Sequence, residues 1–136
     1  MSFLIDTDLL SLLERKRVPP KLANWVRQNE PEIFLSVVSF AELEFGIRQA
    51  PATHQTSLTV WVEETRRKFA HATEQLNEPV LTRWKGLVAA LKSRNRTMTC
   101  EDSLIAATAL FHGHTIATHN TRHFQPAGVP MIDPLM

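Results

Sequence analysis

Two short apolar runs, Phe3-Leu4-Ile5 and Ile33-Phe34-Leu35-Ser36-Val37-Val38, are separated by enough chain for two helices. That spacing constrains the fold more than any other feature. Each run reads as a buried strand, and a connection of this length suits a crossover between parallel strands rather than a hairpin. The pattern then repeats. Thr7 to Glu14 is helical in spacing, with Leu9, Leu10, Leu12 and Leu13 forming a broad apolar face. Pro19-Pro20 opens a second helix to about Arg27. Ser39 is expected to cap a helix reaching about Ala50, where Pro51 ends it. Further helices are expected over about 53–69, 78–92 and 101–111, the last closed by His112-Gly113. Short strands are expected at 72–76, 115–118 and 129–132. Strands alternating with helices predict an α/β domain around a mostly parallel sheet.

The 136 residues fit one domain, 1–136, with 43% hydrophobic residues to fill its core. The single cysteine, Cys100, excludes an internal disulfide and a Cys-rich zinc site, which suits a reducing compartment. The residues before Asp6 carry no basic region and no long apolar run. Neither a signal peptide nor a membrane span is expected, and the cytoplasm is the expected location. A net charge of +1 means that any polyanion must be met by local basic clusters. Candidates are Arg15-Lys16-Arg17, Arg66-Arg67-Lys68, Arg94 with Arg96, and Arg122; each also reads as an ordinary solvated helix end or loop.

Three acids follow apolar segments. Asp6 closes the first strand, where it suits either a helix N-cap or a ligand at the C-terminal edge of a sheet. Asp8 could assist it or simply favour the helix dipole. Glu42 has no basic partner one turn away, unlike Glu44, which sits at i,i+4 from Arg48. It suits the second half of a capping box with Ser39, or a metal ligand. Asp102 opens an almost wholly apolar helix and could pair with Thr99 in a capping box. Together the three acids follow segments expected to converge on one face, where clustered carboxylates call for a hard cation, Mg²⁺ or Mn²⁺. Such a site can activate water for phosphodiester displacement.

Four blocks carry a resemblance along essentially the whole chain. They are Phe3-Leu4-Ile5-Asp6-Thr7-Asp8-Leu9-Leu10, the segment Leu35 to Ile47 containing Ala41-Glu42-Leu43, the segment Glu101-Asp102-Ser103 to Ala109, and Thr115-Ile116-Ala117-Thr118-His119-Asn120-Thr121-Arg122-His123-Phe124. In this order and spacing the chain resembles the PIN-domain family, and within it the VapC-like toxins of bacterial toxin–antitoxin pairs. The resemblance implies a PIN-like fold, a central parallel sheet flanked by helices, and a Mg²⁺- or Mn²⁺-dependent endoribonuclease. It matches Asp6, Glu42 and Asp102 to the family's acidic positions and Asn120 to a polar position after the fourth strand. Thr7 and Ser39 match hydroxyl positions beside the acids. It further implies an RNA substrate, a homodimer, and silencing by a small antitoxin. The early apolar helices, with Leu9, Leu10, Leu12, Leu13, Leu22 and Trp25, suit either an interface or plain core.

Two departures stand out. Asp8 replaces the usual Asn, and His123 stands where many relatives carry a fourth acid. Imidazole prefers borderline metals over Mg²⁺, so His123 suits a one-metal site, a Mn²⁺-favouring site, reduced activity, or a loop residue without a ligand role. His119 beside it could meet an RNA phosphate. The rival to the toxin ribonuclease is therefore a catalytically attenuated PIN domain acting mainly as an antitoxin-binding regulatory module. A DNA nuclease or other metal phosphoesterase would use the same carboxylates.

Overall fold

The computed structural model describes residues 1–136. In chain order its elements are β1 (Phe3–Ile5), α1 (Thr7–Leu12), α2 (Pro20–Asn29), β2 (Ile33–Ser36), α3 (Val37–Gln49), α4 (Ala52–Lys68), β3 (Thr73–Glu74), α5 (Glu78–Ser93), α6 (Cys100–His112), β4 (Thr115–Ala117), α7 (Thr121–Phe124) and β5 (Met131–Ile132). The five strands form one sheet in the order β3-β2-β1-β4-β5. Every pairing is parallel, as the crossover lengths required. No helix is long and apolar enough to cross a membrane.

Strand alternation sends side chains to two cores. Leu4 and Ile116 point to the layer containing Leu87 and Leu91 of α5 and Ile105 and Ala106 of α6. Ile5, Ile33, Leu35 and Ala117 point to the other layer, with Leu9, Leu10, Leu22 and Val62. Burying each large aliphatic side chain contributes about 1.5–3 kcal/mol. Leu9, Leu10 and Leu22 are therefore core within this chain, while Leu12, Leu13 and Trp25 are only partly buried against it.

The second apolar run divides where the expected boundary was not. Its strand stops at Ser36, whose Oγ accepts from the Val38 backbone N–H at 3.0 Å and caps α3. Ser39 is then inside the helix and buried, so the capping box with Glu42 does not form. Val37 and Val38 are β-branched but serve as the apolar first turn of α3, so local β-propensity yields to packing. Helix α1 is also shorter than expected, ending at Leu12, and the short α7 was not expected at all.

The strand order fixes where the chemistry can sit. From β1 the chain winds outward through β2 and β3, then returns to β4 on the other side of β1. A topological switch point thus lies between β1 and β4, and the crevice beyond their C-terminal ends is where ligands collect in such sheets.

Candidate active site at the switch point

Asp6 occupies that crevice. Its backbone N–H bonds to the Ala117 carbonyl at 3.0 Å, which extends the β1–β4 pairing to the end of the strand. One carboxylate oxygen, Oδ1, accepts from the Leu9 N–H at 2.9 Å, so Asp6 is indeed the N-cap of α1. The other, Oδ2, accepts from the Thr118 hydroxyl at 2.6 Å. Only 4% of Asp6 is exposed. Burial pushes its pKa up to about 6; the bonds from Thr118 and Leu9 oppose the shift, and the charges of Asp8 and Asp102 add to it. The cap reading therefore holds.

Glu42 lies one turn into α3. Its Oε1 accepts from the Thr7 hydroxyl at 2.6 Å, and Thr7 Oγ1 also lies 2.9 Å from Ser39 Oγ. This chain of hydroxyls joins the start of α1 to α3 and orients the carboxylate. Burial raises the Glu42 pKa, opposed by Thr7 and reinforced by Glu101, Asp102 and Asp8. Asp102 sits in the first turn of α6, whose N-cap is Thr99; Thr99 Oγ1 accepts from the Asp102 N–H at 3.1 Å. The pKa of Asp102 is raised by burial, lowered by Thr99 and His123, and raised by Asp8 and Glu101. Behind it, Trp84 Nε1 donates to Ser103 Oγ at 2.8 Å and fixes α6 against α5.

The three acids expected from sequence thus come into one electrostatic field. Asp8 belongs to it as well, and its Oδ2 accepts from Asn120 Nδ2 at 3.1 Å. The Asn120 backbone N–H donates in turn to Thr118 Oγ1 at 2.9 Å. Glu101 and Thr118 were missed by sequence reasoning. Thr118 had a usable signal: it follows β4 as Asp6 follows β1. Glu101 had none beyond being next to Asp102. His123 Nδ1 is 3.7 Å from Asp102 Oδ2, too long for a hydrogen bond, and the ring is 58% exposed. His119 turns away from the acids, its Nδ1 3.0 Å from Asp133 Oδ2.

The donor set fits a hard divalent cation, being all carboxylate and hydroxyl oxygen. No group of three His, Cys, Asp or Glu side chains is gathered tightly enough to hold an ion by itself. A closed zinc-type cage is therefore not what the side chains form. A Mg²⁺-like ion needs less, because it keeps several waters and takes only one or two carboxylates plus substrate phosphate.

The two flanks of the crevice differ. Beside Glu42 and Glu101 lies an apolar groove of about 630 Å³, lined by Val37, Val38, Ala41, Phe45, Leu76 and Leu104. Beside Asp102 lies a polar hollow of about 420 Å³ containing Thr97, Thr99, Arg122 and His123.

Comparison with known proteins bears on the fold and the family. The VapC ribonuclease Y4jK of Sinorhizobium fredii is 29% identical over 133 residues, covering 96% of this chain and 95% of the relative. Toxin FitB of Neisseria gonorrhoeae is 27% identical, covering 96% of each chain. The crystal structure of FitAcB from the same organism superposes with a TM-score of 0.87 at 26% identity, covering 97% of both chains. The family described as PIN domain matches residues 3–129. With its carboxylates gathered at the β1–β4 switch point, this chain belongs to the PIN-domain family and is similar within it to the VapC-like toxins.

Proposed function

We propose that this chain is a metal-dependent endoribonuclease acting as the toxin of a toxin–antitoxin pair. The observation that carries the reading is the cluster of Asp6, Glu42 and Asp102, with Asp8 beside them, at the switch-point crevice. Burial raises the pKa of all three, the neighbouring acids add to the shift, and a cation among them would offset both costs. The relatives named as a VapC ribonuclease and a toxin support the reaction class.

Asp6, Asp102 and Glu42 would hold Mg²⁺ or Mn²⁺, one or two of them directly and the rest through bound water, and the ion would lower the pKa of water and stabilise charge on a phosphate. The protein's own share is orientation. Thr118 and the Leu9 N–H fix both oxygens of Asp6. Thr7 fixes one oxygen of Glu42 and leaves the other free. Asn120 steadies Asp8 at the mouth. The RNA substrate implies work in the cytoplasm. A homodimer and a cognate antitoxin complete the proposed assembly, with an apolar segment of the antitoxin covering the Val37–Phe45 side of the crevice.

A second reading is favoured by one observation, the imidazole of His123 beside Asp102. With no fourth acid there, the domain would be catalytically attenuated and act mainly as an antitoxin-binding regulatory module. The decisive experiment is RNA cleavage by the purified protein in Mg²⁺ and in Mn²⁺, with Asp6→Ala as control. Cleavage that disappears in Asp6→Ala is the expected result; equal residual activity in the two proteins would sink the enzyme reading.

A further inference from the structure

We infer that single-stranded RNA flanking the cleaved phosphate runs along one side only of the crevice, from Asp102 to the C-terminal end of α5. This rests on the ribonuclease reading above. The polar hollow beside Asp102 shares Thr97 and Met98 with a second hollow of about 410 Å³, which contains Lys92, Asn95 and Arg96. The two hollows adjoin at Thr97 and Met98, with Arg122 beside Asp102 in one and Lys92 and Arg96 in the other.

Charge selects this side. Lys92, Arg96 and Arg122 are exposed, and none enters an ion pair. Among the other basic clusters, Arg66 pairs with Glu44 and Glu63 and Lys68 with Glu30, while the unpaired Arg15-Lys16-Arg17 lines neither hollow. Arg94, a contact suggested by sequence, spends its guanidinium on the carbonyls of Ala90 and Pro126. On the opposite flank the groove is apolar and edged by Glu42 and Glu101, which repel a phosphate backbone.

Arg96 is also held in place. Its backbone N–H bonds to the Leu91 carbonyl at 2.9 Å, and that of Asn95 to Lys92 at 3.2 Å. With Asn95 at φ 54°, this is a Schellman closure of α5. The helix end therefore presents Lys92 and Arg96 on a fixed scaffold, and Thr97 and Thr99 add hydroxyl donors between them and Asp102. Such contacts position the strand without reading its bases.

The test is fluorescence anisotropy of a labelled single-stranded RNA in EDTA, where cation-dependent cleavage does not proceed. The double variant Lys92→Ala/Arg96→Ala is expected to bind about 10-fold more weakly. Its slope of log affinity against log salt should also be shallower by about 1.4, or about 0.7 for each lost phosphate contact. A charge-matched control on α2, Lys21→Ala/Arg27→Ala, should bind like wild type. In the cleavage assay KM should rise for the double variant while kcat holds. If wild type cleaves RNA and the double variant keeps its affinity and salt slope, the track is wrong and the ribonuclease reading stands. Equal losses in the control pair would likewise overturn the track. If the double variant loses binding but wild type cleaves nothing in either metal, the track stands and the ribonuclease reading falls.

Discussion

The Thr118 hydroxyl donates to Oδ2 of Asp6 at 2.6 Å across the gap between the ends of β4 and β1. The same oxygen of Thr118 accepts from the Asn120 N–H at 2.9 Å. One buried hydroxyl thus holds both the most enclosed acid and the loop that carries Asn120. Thr118→Val keeps the shape and removes both bonds. We expect a loss of about 1–3 kcal/mol in stability and a further rise in the Asp6 pKa, since a bond that lowers it has gone. The acid limb of the pH–rate profile should move to higher pH, and Thr118→Ser should restore it. A valine variant whose acid limb overlays wild type would show that Thr118 does not govern Asp6.

The Asp6 carboxylate also makes stability depend on pH in the metal-free protein. Its pKa is about 6 when folded against 3.8 as a free side chain. Between those values the native state binds more protons than the unfolded state, so stability falls as pH rises through this window. The full penalty is present above about pH 6 and amounts to about 3 kcal/mol. Asp6→Asn removes the charge, and its carbonyl can still cap Leu9 while its amide donates to Thr118. Urea denaturation in EDTA should therefore find Asp6→Asn more stable than wild type at pH 8, with the gain shrinking toward pH 4. Mg²⁺ should stabilise wild type and not the variant. A constant difference at all pH values would refute the assignment.

Asp8 contributes charge rather than burial, adding to the repulsion felt by Asp6, Glu42 and Asp102. Asp8→Asn keeps a partner for Asn120 and relieves that repulsion. The metal concentration at half-maximal activity should rise about 10-fold, as for partners that support metal ligands. The rate at saturating metal should change little. Identical metal titrations for the two proteins would remove Asp8 from the site.

Much of this arrangement was legible in the residues. Phe3-Leu4-Ile5 halts at Asp6, and the lengths between apolar runs compel parallel crossovers, so the sheet and its C-terminal edge followed. Asp6, Glu42 and Asp102 were individually explicable as helix caps; Asp6 is the N-cap of α1 and Asp102 lies in the first turn of α6, and only the folded sheet brings them together. The boundary at Ser36 was hidden because Val37 and Val38 carry strand-like side chains into a helix. Thr118 was passed over because a threonine after a strand has many ordinary fates, although its place after β4 mirrors that of Asp6 after β1. The basic residues were least legible: Arg94 and Arg96 look alike in sequence, yet one is spent on carbonyls and the other lines a hollow.

His123 is held near Asp102 by its neighbour rather than by its own contacts. Phe124 is fully buried in the α5–α6 core and anchors α7, which leaves the exposed imidazole with Nδ1 3.7 Å from Asp102 Oδ2. When protonated, the ring lowers the Asp102 pKa by its charge. Replacing it by an acid in the same place should alter cation binding more than fold. His123→Asp is expected to lower the half-saturating Mg²⁺ concentration about 10-fold and to reduce the preference for Mn²⁺, since carboxylate suits the harder ion. His123→Ala should keep its thermal unfolding midpoint and show no such gain. Parallel Mg²⁺ and Mn²⁺ titrations of RNA cleavage by the three proteins decide the matter. If His123→Asp titrates like His123→Ala with both metals, this position does not border the cation and the missing fourth acid has no bearing on activity.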